Sequence, residues 1–312
     1  MAEQGIQTAI NDTNRILNQM LTTGSASATA AAASASAAAG SATAAAASAT
    51  AASASATAAA ASATAAAAIN FGHLGGLGLS NVSGTVLGIA AGAAANSTNT
   101  VTITLGAFTK STGGTWVAGS GNNGMGAALT IAASTWYHAF AIINGGTPDA
   151  YFDTSPSAAN APGGTTAFRR LGSFKTDGSS NILAFSQNAD RFDWGVPIQE
   201  LNAIPVGTSS AVTQTMIGVP LGIVTQALIS GRAVEPGGAI VNTFLYLSSL
   251  AQTAAPPTVN AFTTQTGATG TPAIIAAQVQ TNTSQQIRFQ LSTATCNLVL
   301  ITNGWIDTRG RG

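Results

Sequence analysis

The spacing of apolar and polar positions changes twice along the chain. From residue 6 a stripe runs at alternating intervals of four and three: Ile6, Ile10, Thr13, Leu17, Met20 and Gly24. From 27 to 68 the sequence falls into six blocks of seven: SATAAAA, SASAAAG, SATAAAA, SATAASA, SATAAAA and SATAAAA. After a glycine-rich passage the pattern becomes period two, as in Val101, Ile103 and Leu105 between Thr102 and Thr104. A repeat of seven belongs to helices that wind around one another, and alternation belongs to half-buried strands. The order predicted is therefore a helical stalk followed by all-β structure.

One register carries both parts of the stalk. With Ile10 and Leu17 at a, Ile6, Thr13 and Met20 fall at d. Counting on, each block-opening serine (Ser27, Ser34, Ser41, Ser48, Ser55, Ser62) takes d. Ala31, Ala38, Ala45, Ala52, Ala59 and Ala66 take a, the second hydroxyls take f, and Ile69 is the next d. Alanine loses no rotamer entropy in a helix, but a lone alanine helix has almost nothing to bury, so such a helix is expected only in company. Small seam residues let backbones approach closely and substitute dispersion contacts for large side chains. The 42 residues of the repeat span roughly 63 Å at about 1.5 Å each. A serine in the seam needs a partner, which the carbonyl four residues earlier can supply. A second register puts both hydroxyls outside and alanine at both core positions, but loses Ile6, Ile10 and Leu17. A disordered linker and a silk-like β segment are the competing readings; strict sevens oppose the second, because strands count in twos. A membrane span is disfavoured, since 25–68 holds no Leu, Ile, Val or Phe.

Residues 1–23 read as an attachment segment. They hold the stalk's only charges, Glu3, Asp12 and Arg15, and its large seam residues, Ile6, Ile10, Leu17 and Met20. Residues 24–69 are the heptad stalk. Residues 70–98 read as a glycine-rich collar, because glycine this dense breaks a helix and permits tight turns. Two β domains follow, at 99–203 and 204–312, with the boundary ahead of Pro205. Trp136, His138, Phe140 and Ile142 line one strand face. Phe168–Lys175 and Asn181–Gln187 flank an Asp177-Gly178 hairpin signal. Further strands are expected at 209–218, 221–229, 239–248, 271–280, 285–292 and 296–304, with turns at 235–238, 256–257 and 267–272. Short strands at this spacing predict a sandwich or jelly-roll-like architecture.

Composition sharpens the picture. Only 6% of residues are charged, Lys+Arg and Asp+Glu number 10 each, and none lies between Arg15 and Lys110. Such a surface suits a subunit covered by neighbours rather than a soluble monomer. Zero net charge and no basic run speak against nucleic acid as a partner. A single cysteine, Cys296, excludes an intrachain disulfide framework and reads as a buried small hydrophobe. The N-terminus has no secretory signal pattern, so assembly in a cytoplasm is expected.

No motif points to catalysis, a cofactor or a metal. His73 and His138 stand far from Cys296, which is not the spacing of a metal site. GHLGGLGLS lacks the GK[ST] ending of a phosphate loop. Two carboxylate pairs, Asp149 with Asp153 and Asp190 with Asp193, meet the minimum for glycoside cleavage. Structural roles are favoured for both pairs, and Arg169 and Arg170 are expected to pair with one of these aspartates.

Several stretches resemble a known group. An Ala/Ser/Thr run ahead of β structure resembles the side tail fibres of tailed bacteriophages. Trp136-Tyr137-His138, the strand around Asp149–Asp153, Arg169-Arg170-Leu171-Gly172-Ser173 and Phe185–Asp190 are similar to a segment common in phage fibre-like proteins. There, a WYH-type strand precedes an aspartate-bearing strand, an RRIGS-type strand and FxQxxD. The final TNGWIDTRGRG resembles the GW(I/V)DxRGR close of such proteins. The likeness covers roughly 95–200 and the last 30 residues. It implies an elongated homotrimer in the virion, its N-terminus anchored to a tail or adaptor/portal-region protein and its C-terminal part facing a host cell-surface glycan or protein. It supplies no catalytic residues. A capsid head fibre or decoration protein is the nearest alternative. A capsule-degrading spike would need a β-helix with paired carboxylates, and a bacterial trimeric adhesin a signal peptide and membrane anchor.

Overall fold

A computed structural model describes residues 2–69, 71–205, 209–234, 243–260, 262–266 and 272–311, with the side chains of 63–69 and 203–205 outside that description. The side chains of the seam positions Ala66 and Ile69, and the turns expected at 235–238 and 267–271, therefore lie outside the description. The chain divides into two compact units, Met1–Ala68 and Ile69–Gly312.

The first unit is a single helix, α1 (Ala2–Ile69), of 68 residues. At about 1.5 Å per residue it is about 100 Å long. It runs unbroken through the composition change at Gly24 and through Gly40. Every described side chain from 2 to 62 is exposed. Among the described residues no helix is long and apolar enough to cross a membrane.

The second unit is all β. Its strands are β1 (Leu74–Gly76), β2 (Leu79–Ser83), β3 (Val86–Ile89), β4 (Gly92–Ala95), β5 (Thr102–Leu105), β6 (Phe108–Thr115), β7 (Asn123–Met125), β8 (Trp136–Asn144), β9 (Thr147–Asp153) and β10 (Thr165–Lys175). There follow β11 (Phe185–Asn188), β12 (Arg191–Pro205), β13 (Val212–Thr215), β14 (Gln226–Val234), β15 (Phe244–Ser248), β16 (Thr264–Gln265), β17 (Ala273–Gln280), β18 (Gln286–Leu291) and β19 (Asn297–Ile306). They form four sheets, ordered β1-β4-β5, β10-β8-β9-β7-β6-β3-β2, β11-β12-β19-β14-β17 and β13-β18-β15-β16. Pairing is antiparallel except where β7 joins β6 and β9.

Alternation places the core where the sequence predicts it. Ile103 and Leu105 in β5 and Ile287, Phe289 and Leu291 in β18 are buried, whereas Val101 is exposed and lies outside β5. In β8 the expected face of Trp136, His138, Phe140 and Ile142 is buried, and so is the opposite face of Tyr137, Ala139 and Ala141. β8 lies between β10 and β9, with a large core on one side and a small cluster of Phe140, Ile142, Tyr151 and Ala158 on the other.

Three organisational details differ from the pattern-based reading. The glycine-rich passage 70–98 is strand-bearing: β2 and β3 extend the seven-stranded sheet, and β1 and β4 pair with each other. Asp177-Gly178 turns the chain, but only one bridge, Thr176↔Ile182, follows before β10 and β11 diverge to different sheets. The boundary expected ahead of Pro205 falls at the end of β12, and the main core holds residues from both sides of it, from Leu74 to Trp305. An aromatic cluster crosses that line. Trp136 lies 5.6 Å from Trp194 and 5.3 Å from Trp305, and Phe192 stacks on Trp305 at 4.8 Å. Gly304 permits this approach, because a Cβ there would stand 2.0 Å from the Phe192 carbonyl oxygen.

Candidate functional site

On α1 the predicted seam is an exposed stripe. Ile6 is 62% exposed, Ile10 47%, Leu17 59% and Met20 68%. Ile16 and Leu21, which the a/d reading passes over, are 51% and 74% exposed. In the same register they take g and e, so the apolar stripe is wider than a strict a/d seam. Further along, Ala31, Ala38, Ala45, Ala52 and Ala59 are exposed on the same face. Four of the six seam serines carry their own partners. Ser34, Ser48, Ser55 and Ser62 donate to the carbonyls of Ala30, Ala44, Ala51 and Ala58 at 2.9–3.0 Å. Thr29, Thr43, Thr50 and Thr57 do the same on the f side at 3.0 Å. A surface whose hydroxyls bond inward presents methyl groups and satisfied oxygens to whatever lies against it.

The head carries an open cleft of about 630 Å³. It is lined by Gln226, Tyr246, Ser248, Gln252, Gln278 and Gln280 among others and, among the described residues, by no charged side chain. The sheet register builds it: Gln226 of β14 pairs directly with Gln280 of β17, and alternation puts Gln278 on the same face while Val279 points into the core. Amide and hydroxyl groups beside one tyrosine ring can hydrogen-bond and stack on an uncharged polar ligand.

The aspartates weighed for catalysis are each occupied. Asp149 meets Lys110 Nζ at 2.9 Å with both side chains buried, and accepts from the Gly119 amide at 2.7 Å. Lys110 also donates to the carbonyls of Val117 and Gly119. Asp153 accepts from the amides of Ser155 and Asn160, the Asn160 side chain and the Tyr151 hydroxyl. Asp193 pairs with Arg191 on the surface at 2.8 Å. Among the described residues no group of three or more His, Cys, Asp or Glu is placed to hold a metal.

The arginines depart from expectation. Arg170 pairs with Asp307, not with the nearer aspartates, through two bonds of 2.6 and 2.7 Å. Asp307 also accepts from the Arg309 amide at 2.7 Å. Burial pushes the Asp307 carboxyl up, but Arg170 and that amide outweigh it and hold it below the usual carboxylate range. Asp190 receives Arg309 and Arg311, and its carbonyl accepts from the Asp307 amide. The final residues are thus tied both to β10 and to the turn between β11 and β12. Arg169 has no such partner: it is 5% exposed, and its Nε and Nη2 are buried without an acceptor. His138 bonds Ser173 through Nδ1 at 2.8 Å. Burial, aided by Arg170, depresses its pKa to about 4. Cys296 is buried.

Neither protein-family models nor curated proteins match this chain.

Proposed function

We propose that the chain is the subunit of a homotrimeric virion fibre of a tailed phage, with α1 as a coiled-coil stalk and sandwich-like β heads that meet the host surface. The observation that carries this reading is the helix: described residues 2–62 are all exposed along a strict heptad. An isolated alanine helix gains almost nothing from packing, so the missing packing is supplied by copies of itself. The apolar e and g positions at Ile16 and Leu21 favour three strands over two, because they widen the stripe each helix must cover. Inward-bonded hydroxyls let Ser34, Ser48, Ser55 and Ser62 sit in the interface without unsatisfied groups. The large apolar residues near the N-terminus form the attachment segment. The likeness of 95–200 and of the last 30 residues to fibre-like proteins supplies the virion context. Three heads act together, so individually weak contacts suffice for adhesion.

The test is to locate the chain on the particle and to block its function. Antibody raised against residues 70–312 should decorate a tail appendage in electron micrographs, and excess purified chain should slow adsorption to the host. Decoration of the capsid would transfer the reading to a head fibre. Undecorated particles, with adsorption unchanged, would overturn it.

A further inference from the structure

The arginine cluster is left incomplete by everything described so far. Among the described residues, four guanidinium groups (Arg169, Arg170, Arg309, Arg311) lie about two carboxylates, Asp190 and Asp307, an excess of two positive charges, and Arg169 is paired with neither. Arg169 and Arg309 are only 5% and 4% exposed. Between them three buried nitrogens, Nε and Nη2 of Arg169 and Nη1 of Arg309, have no acceptor. More than nine in ten buried polar groups in proteins are satisfied, and a buried charge without a partner is strongly destabilising. Arg169 is further depressed by its own burial and then by the fields of Arg170, Arg311 and Arg309. All three neighbours repel it, so what it lacks is negative charge.

We propose that Arg169 and Arg309 hold a small inorganic anion, a halide or a compact oxyanion, that completes the clamp between β10 and the C-terminal segment. Size follows from burial. The orphan nitrogens are enclosed, so the ligand is of the order of a chloride or phosphate ion and not a sugar chain. Access follows from topology: β10 is an edge strand of its sheet, and Asp190 and Arg311 at the cluster's outer side are about a third exposed. Guanidinium is suited to this task because it is always charged and presents several donors in a rigid fork. The inference is independent of the fibre reading, since it concerns how one head is closed.

The experiment is thermal unfolding of the full chain, exchanged into halide-free zwitterionic buffer, with sodium chloride or sodium phosphate added over the low millimolar range. Ligand binding to the folded state alone raises Tm in a saturable way. The wild type should gain several degrees and level off. Arg169→Met, which keeps length and apolar bulk but removes the charge, should start at or above the anion-free wild type and stay flat. Parallel curves for both proteins, or no rise in the wild type, would overturn the proposal. If Arg169→Met does not fold, Arg309→Met takes its place. If neither folds, crystals of the wild type soaked separately in bromide and in arsenate decide: an anomalous peak from either ion within hydrogen-bonding distance of Arg169 supports the site, and its absence with both rejects it.

Discussion

Leu17 in the helix is 59% exposed, whereas Leu171 in the head is fully buried. The same contrast holds for charge. Arg15 and Asp12 meet at 3.4 Å on an open surface, whereas Lys110 and Asp149 meet at 2.9 Å with neither side chain more than 4% exposed. The head contains its own interior, with aromatic clusters, buried ion pairs and sheets that share a core. The helix has a seam and no interior. On the proposed fibre reading, stability in the first case is a property of one chain, and in the second it is a property of an assembly. The difference teaches that mutations should act on separable quantities: folding free energy in the head, and association and length in the stalk.

The sharpest way to break that separation is at Arg170. Arg170→Ala leaves Asp307 buried and uncompensated, which costs about 3–5 kcal/mol. Urea unfolding of the head should show this loss, while helix content should persist in the assembled stalk. Acid is the next largest probe. His138 titrates in the unfolded chain near the ordinary histidine value of 6.5 and in the fold at about 4. The unfolded state therefore takes up the proton first as pH falls. The stability this neutral histidine supports is complete above pH 6.5 and is lost between there and about 4, by about 3 kcal/mol. Glu200, whose pKa burial raises, acts in the opposite sense on the rising side, so the comparison is made against His138→Gln. That variant should flatten unfolding midpoints across the window, with stalk helicity unchanged. Removing residues 41–54, two heptads, should shorten α1 by about 21 Å, read from the length of the purified molecule in electron micrographs, and leave the head's Tm where it was. The smallest effect is at Gly40, a position outside the seam where an added Cβ would meet nothing within 4 Å. Gly40→Ala should raise stalk stability by about 0.5–1 kcal/mol per chain without altering the head, as read by helix melting.

The parts legible in the sequence are those encoded locally. Seven-residue periodicity marks α1, and alternation marks Ile103 with Leu105 and Ile287 with Phe289. Even the hydroxyl bonds of the seam serines follow from a rule that spans four residues. The parts that escaped are encoded by register between distant strands. Gln226 faces Gln280 only because β14 and β17 pair, and nothing in either segment announces a cleft. Arg170 and Asp307 both belong to stretches that stood out, but 137 residues separate them. Aspartates closer in sequence suggested the expected pairing, and those are held by Lys110, by backbone amides, by Arg191 or, at Asp190, by Arg309 and Arg311. The glycines of 70–98 spoke for turns and hid strands, because short glycine-rich strands such as β1 and β4 carry few of the branched side chains that mark β structure.

The most direct test of the account is the mass in solution, by light scattering, of the full chain and of a chain starting at residue 70. A trimer is expected for the full chain, with the exposed heptad of α1 packed against its copies. A trimeric 70–312 would add that the heads also associate, with the stalk following. A monomeric full chain would contradict the coiled-coil stalk and reduce residues 27–68 to a tether.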